Sequence, residues 1–125
     1  NPKKAYSVDN GLSGINSASF SADRGRMLEN MAFIHLKKNH GAVFYYRGKQ
    51  ECDFVIKDAG RIIEAIQICY ELTEDNKERE INGLAEAMSA FNLKQGLILT
   101  YSQEDTILVN GKKIALKPLW KWLLE

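Results

Sequence analysis

Glu51 and Asp53, two carboxylates two residues apart, open a stretch in which polar groups are set into apolar runs: ECDFVIKDAGRIIEAIQICYEL. Phe54, Val55 and Ile56 follow, then a turn signal at Lys57-Asp58-Ala59-Gly60, then a longer apolar run interrupted by Glu64, Gln67 and Cys69. Short runs rich in Val, Ile, Phe and Tyr bounded by Asp and Gly predict two strands of a hairpin. The second is apolar enough to be covered on both faces. Carboxylates, an amide and a thiol in such strands are costly unless paired or used, so any chemistry of the chain is expected here.

Cross-strand neighbours in a hairpin have indices with a constant sum. A three-residue loop, 59–61, places Asp53 opposite Gln67 and Glu51 opposite Cys69, with all four side chains on one face with Ala65. A two-residue loop, Ala59-Gly60, slips the register by one, so that Asp53 meets Ile66 and shares its face with Glu64. Ala-Gly is a weak two-residue turn, which favours the first register; in either, Gln67 and Cys69 can also be satisfied core groups and Glu51 an edge carboxylate. A further carboxylate, Glu29, stands next to Leu28 and two residues before Met31, near the edge of a helical apolar stripe. From there it can reach toward Asp53 or lie in solvent.

The elements that must position these groups can be read in order. Residues 3–8 (KKAYSV) predict a short strand, and residues 11–22 a polar connection. A helix with Ser21 or Asp23 as N-cap follows, carrying Leu28, Met31, Ala32, His35 and Leu36 on one face and ending at Asn39-His40-Gly41. Lys37 and Lys38 suit its C-terminal dipole. Residues 42–46 form a strand, and Arg47-Gly48-Lys49 turns into the central hairpin. A second helix begins around residues 73–76, with Ile81, Leu84, Ala85, Met88 and Phe91 as its apolar positions. Residues 96–100 predict a strand. A hairpin follows over 106–109 and 112–116 about Asn110-Gly111, the strongest two-residue turn signal. Pro118 starts a last helix with Trp120 and Trp122, too close in sequence to share one side. Two helices against one mixed sheet is the expected layering, and the connections on either side of the second helix favour a parallel pairing within that sheet.

At 125 residues the chain is one domain, 1–125, large enough for a core. With 17 Lys and Arg against 16 Asp and Glu the net charge is +1, so any attraction to nucleic acid must be local. Cys52 and Cys69 have no metal-ligand spacing and are expected to be free buried thiols of a cytoplasmic protein. No apolar run reaches the ~20 residues needed to span a membrane, and no membrane partner is expected. No Gly-rich phosphate loop is present. The chain begins at Asn1-Pro2, which suggests a piece cut from a longer protein.

The segments KKAYSVDNGL, RGRMLENMAFIHLKKN, VFYYRGKQECDFVI, IEAIQICYEL and EREINGLAEAMSAFNLKQGLILT resemble the C-terminal domain of bacterial and archaeal AAA-type ATPases. That domain is similar to the PD-(D/E)XK nuclease superfamily, which includes Holliday-junction resolvases and restriction endonucleases. The resemblance covers nearly the whole chain. It implies a restriction-endonuclease-like α/β fold with a mixed central sheet flanked by helices. Its implied partners are the ATPase domain of a parent chain, an oligomer formed through that ATPase, and DNA. Glu29 then matches the glutamate of the first helix and Asp53 the motif aspartate, which with an E-x-K on the next strand hold Mg²⁺ or Mn²⁺ and activate water for phosphodiester hydrolysis.

The E-x-K triplet is where this sequence departs. Counting from Asp53, the matching residues are Gln67-Ile68-Cys69; the competing placement, Glu64-Ala65-Ile66, keeps the Glu and also lacks the lysine. A Gln carbonyl can ligate a hard cation but brings no charge. A thiol near its ordinary pKa of ~8.5 is neutral at pH 7. Losing such electrostatic stabilisation typically costs ~100- to 1000-fold in rate. The expectation is therefore a catalytically degenerate accessory domain, with an active metal-dependent endonuclease and a structural docking module as alternatives. Lys37, Lys38, Arg47 and Lys49, close in sequence and beside Phe44, Tyr45 and Tyr46, are the candidate contacts to a nucleic-acid backbone.

Overall fold

The computed structural model describes residues 17–125, and side chains from residue 22 onward. The strand expected over residues 3–8 and most of the polar connection after it lie outside the described residues. Helix α1 (Ser17–Asn39) leads into strands β1 (Ala42–Arg47), β2 (Glu51–Asp58) and β3 (Arg61–Ile68). Helix α2 (Lys77–Ala90) follows, then β4 (Gln95–Thr100), β5 (Asp105–Val109), β6 (Lys112–Pro118) and the short α3 (Leu119–Leu123). Helix α1 starts earlier than Ser21 or Asp23, at Ser17, with no proline after that point to interrupt it. Helix α2 starts at Lys77 with Asn76 before it; the Asn76 Oδ1 accepts from the Thr73 N–H at 2.8 Å and holds the preceding turn.

The six strands form one mixed sheet in the order β1-β2-β3-β4-β6-β5. β3, β4 and β6 run parallel, and β1, β2 and β5 are antiparallel to their neighbours. The parallel pairing of β3 with β4 across α2 is the crossover expected from the element order. Helices α1 and α3 cover one face, where Leu28, Ala32, Leu36 and Leu119 pack on Phe54, Ile56, Ile66 and Leu99. Helix α2 covers the other, with Ile81, Leu84, Ala87 and Met88 on Cys52, Ala65, Cys69 and Ile98. Burial on both faces explains the near-continuous apolar run of β3. On α2 the buried small residues are Gly83 and Ala87, where Ala85 was expected.

The β2–β3 turn reconciles the two registers. Ala59 and Gly60 both have positive φ, 51° and 84°, and form a two-residue turn closed by Asp58 opposite Arg61. Ile63 is then an extra residue: Lys57 pairs with Ile62, but Ile56 pairs with Glu64, Val55 with Ala65 and Phe54 with Ile66. The turn is the shorter one, while the strand beyond the bulge follows the register that sets Asp53 opposite Gln67.

A second irregularity corrects the expected face. Phe44 pairs with Val55 and Tyr46 with Cys52, so Asp53 and Phe54 together oppose Tyr45. The inserted residue breaks the alternation of β2: Cys52, and not Glu51, lies with Ala65 and Cys69 against α2, while Phe54 packs toward α1.

Candidate functional site

A polar cavity of about 440 Å³ opens where β2 begins and β3 ends, between α1 and the first turn of α2. The carboxyl ends of parallel strands are the usual place for such crevices in open α/β sheets. Glu29 of α1 and Asp53 and Gln67 of the central hairpin line it together, as do Glu51, Glu80, Lys49 and Arg79.

Gln67 is held at both ends of its amide. Its Oε1 accepts from the Asp53 N–H at 2.8 Å. Its Nε2 donates to the carbonyl oxygens of Glu51 at 3.1 Å and Glu80 at 3.0 Å. The side chain thus takes over the ladder where β2 and β3 part, and ties both strands to α2. Asp53, 6% exposed, mirrors this by accepting the Ile68 N–H on Oδ2 at 2.8 Å. Gly83 makes room for the arrangement: a Cβ there would stand 2.1 Å from the Glu51 carbonyl oxygen and 2.8 Å from Gln67 Nε2.

Cys69 does not line the cavity. It sits against α2, its Sγ 3.2 Å from the Glu71 carbonyl oxygen and 3.6 Å from Asn76 Nδ2. Burial, reinforced by the Glu80 charge, pushes its thiol up to about 11, so it stays neutral at pH 7 and supplies no cation. Both cysteines are free and buried, as expected. Glu64 lies three rows along the hairpin, opposite Ile56, in a separate cavity with Lys117, Trp122 and Glu125. The structure does not bring it to Glu29 and Asp53.

The basic residues also divide. Lys49 lines the cavity, and its turn is anchored on α2: Glu86 accepts from the Gln50 N–H at 3.1 Å and from the Tyr46 hydroxyl at 2.9 Å. No hydrogen bond or ion pair engages Lys49 among the described residues. Arg47 is nearby, 3.8 Å from Glu51. Lys37 and Lys38 are at the other end of α1, where Lys37 donates to the Gly41 carbonyl oxygen at 3.3 Å. The length of β1 separates them from Lys49 by roughly 17 Å, so the four do not make one patch. Arg79, which local sequence did not single out, takes their place at the cavity, 3.2 Å from Glu80. Only the crossover after β3, which returns the start of α2 to the strand ends, marks it out.

The lining therefore combines four carboxylates, Glu29, Glu51, Asp53 and Glu80, with two cations, Lys49 and Arg79. Next to it, burial and a hydrogen bond to Glu51 push the Tyr45 phenol up to about 12 and keep it neutral. Tested against Mg²⁺ or Mn²⁺, the donor set is short: one oxygen of Asp53 is taken by Ile68, and the Gln67 oxygen faces the Asp53 N–H. No three His, Cys, Asp or Glu side chains among the described residues are placed to hold a metal ion. Among them, too, no helix is long and apolar enough to cross a membrane.

An uncharacterized protein of Methanocaldococcus jannaschii is 40% identical over 122 residues, a match spanning 86% of this chain and 26% of that protein. The chain thus spans about a quarter of the length of that relative. No solved structure is significantly similar to this chain. A family profile covers residues 24–122, which take in every residue that lines the cavity. On that match the chain belongs to the family described as a domain of unknown function, DUF4143.

Proposed function

We propose that this chain is a nuclease-like accessory domain of an AAA-type ATPase that contacts DNA at the polar cavity without cutting it. The observation that carries the reading is the Gln67 amide, engaged at both ends by backbone groups. The position that the nuclease resemblance reserves for a metal-binding carboxylate is here a structural tie, and the lysine position is a neutral thiol buried away from the cavity. Lys49 and Arg79 stand at the exposed rim together with Glu51, while Asp53 and Glu80 form a less accessible acidic floor. A phosphodiester is attracted to Lys49 and Arg79 and repelled by the floor, which favours holding over hydrolysis. The share of the relative that the match spans, 26%, supports a module of a larger protein.

The test is an incubation with plasmid and short duplex DNA in Mg²⁺ or Mn²⁺. Binding that weakens as salt rises, with the DNA left intact, is the expected result. Lys49→Ala should flatten the salt dependence by about one phosphate contact. Cleavage that Asp53→Ala abolishes favours the second reading, an active metal-dependent endonuclease, which rests on Glu29 and Asp53 lining one cavity. Absence of DNA binding at low salt sinks both.

A further inference from the structure

An apolar groove of about 330 Å³ adjoins the polar cavity. Its walls include Met27 and Met31 of α1, Tyr70 after β3, Tyr101 after β4, and Trp120 of α3, with Arg24 at one side. The two hollows share their framework. On α1, Leu28 lines the groove and the next residue, Glu29, the cavity; Ile68 at the end of β3 lines the cavity and Tyr70, two residues on, the groove. A strand held at the rim of one can therefore extend to the other.

The groove is aromatic and open. Tyr70 and Tyr101 stack at 5.0 Å between ring centroids, and the Arg24 guanidinium lies 5.5 Å from the centre of the Tyr70 ring while its Nη1 donates to the Tyr70 hydroxyl. Trp120 is 60% exposed and Tyr101 55%, whereas Trp122 turns inward, edge-on to His35 at 4.7 Å. The exposed rings of Trp120 and Tyr101, with cations at the neighbouring cavity, suit an unpaired strand several nucleotides long. One base stacks on these aromatics, while phosphates further along the strand meet Lys49 and Arg79. A base inside a duplex keeps both faces stacked and cannot enter such a groove.

We propose that the groove seats an unpaired base, so that the domain prefers single-stranded DNA, or the unpaired end of a duplex, to fully paired DNA. The inference rests on the DNA-contacting reading of the cavity and adds the class of nucleic acid. Titrating the 125-residue chain with oligothymidine and with duplex of equal length tests it, following tryptophan fluorescence and anisotropy of a labelled strand. The single strand should bind more tightly and quench Trp120. Trp120→Ala and, separately, Tyr101→Ala should weaken the single strand roughly 5- to 150-fold while leaving duplex affinity unchanged, and Trp120→Phe should recover part of the loss. Lys49→Ala should weaken both. Equal affinities for the two DNAs, unaffected by either aromatic substitution, overturn the inference, leave the cavity reading standing and assign the groove to an apolar protein segment. Failure to bind either DNA overturns both.

Discussion

Gln67 is the residue on which the site turns, and its role can be measured as stability. Replacing it by Leu leaves the Asp53 N–H and the carbonyls of Glu51 and Glu80 without their partner. Each orphaned buried group costs about 1–3 kcal/mol, and partial relaxation lowers the sum, so Gln67→Leu should destabilise by about 3 kcal/mol in urea unfolding. Gln67→Glu should lose about as much, since its second oxygen meets two carbonyls. Glu64 offers a pH-dependent counterpart. Burial raises its pKa above the ordinary 4.5, with His40 and Lys117 opposing. The fold thus favours its neutral form, and the stability this confers is present at low pH and lost as pH rises through the raised pKa. Glu64→Gln should therefore be more stable than the parent at about pH 7, with the advantage gone at about pH 4; thermal unfolding at both values measures it.

At the scale of elements, the site depends on how closely α2 approaches β2. Gly83 faces the Glu51 carbonyl oxygen, and a methyl group there has no room unless helix or strand moves. Gly83→Ala should cost about 3 kcal/mol by overpacking and shift the amide resonances of Asp53 and Ile68, a change that a two-dimensional NMR spectrum detects. The helices and hairpins were legible because their signals are local: Asn110-Gly111 for the last hairpin, the 3.6-residue spacing of Ile81, Leu84 and Met88 for α2. What stayed hidden depends on partners distant in sequence. Neither the bulge at Ile63 nor the doubling of Asp53 and Phe54 against Tyr45 leaves a mark in its own stretch, since each is defined by the strand opposite.

For the whole molecule, the same limit explains the site. Glu29, Asp53 and Gln67 were legible as candidates, and they line one cavity. Arg79 and Glu80 were not, because only the three-dimensional return of the chain after β3 brings them there. Lys37 and Lys38 were misplaced for the converse reason: nearness along the chain is undone by a strand running away from them. The parallel strands give the domain two unlike rims. Cavity and groove share the one where β3 and β4 end, while the turn at Ala59-Gly60 and the starts of β4 and β6 make up the other. Immobilising the protein on a sensor chip, or attaching a dye, through exposed Asp58 or Lys113 would thus use the second rim and leave the cavity and groove unobstructed.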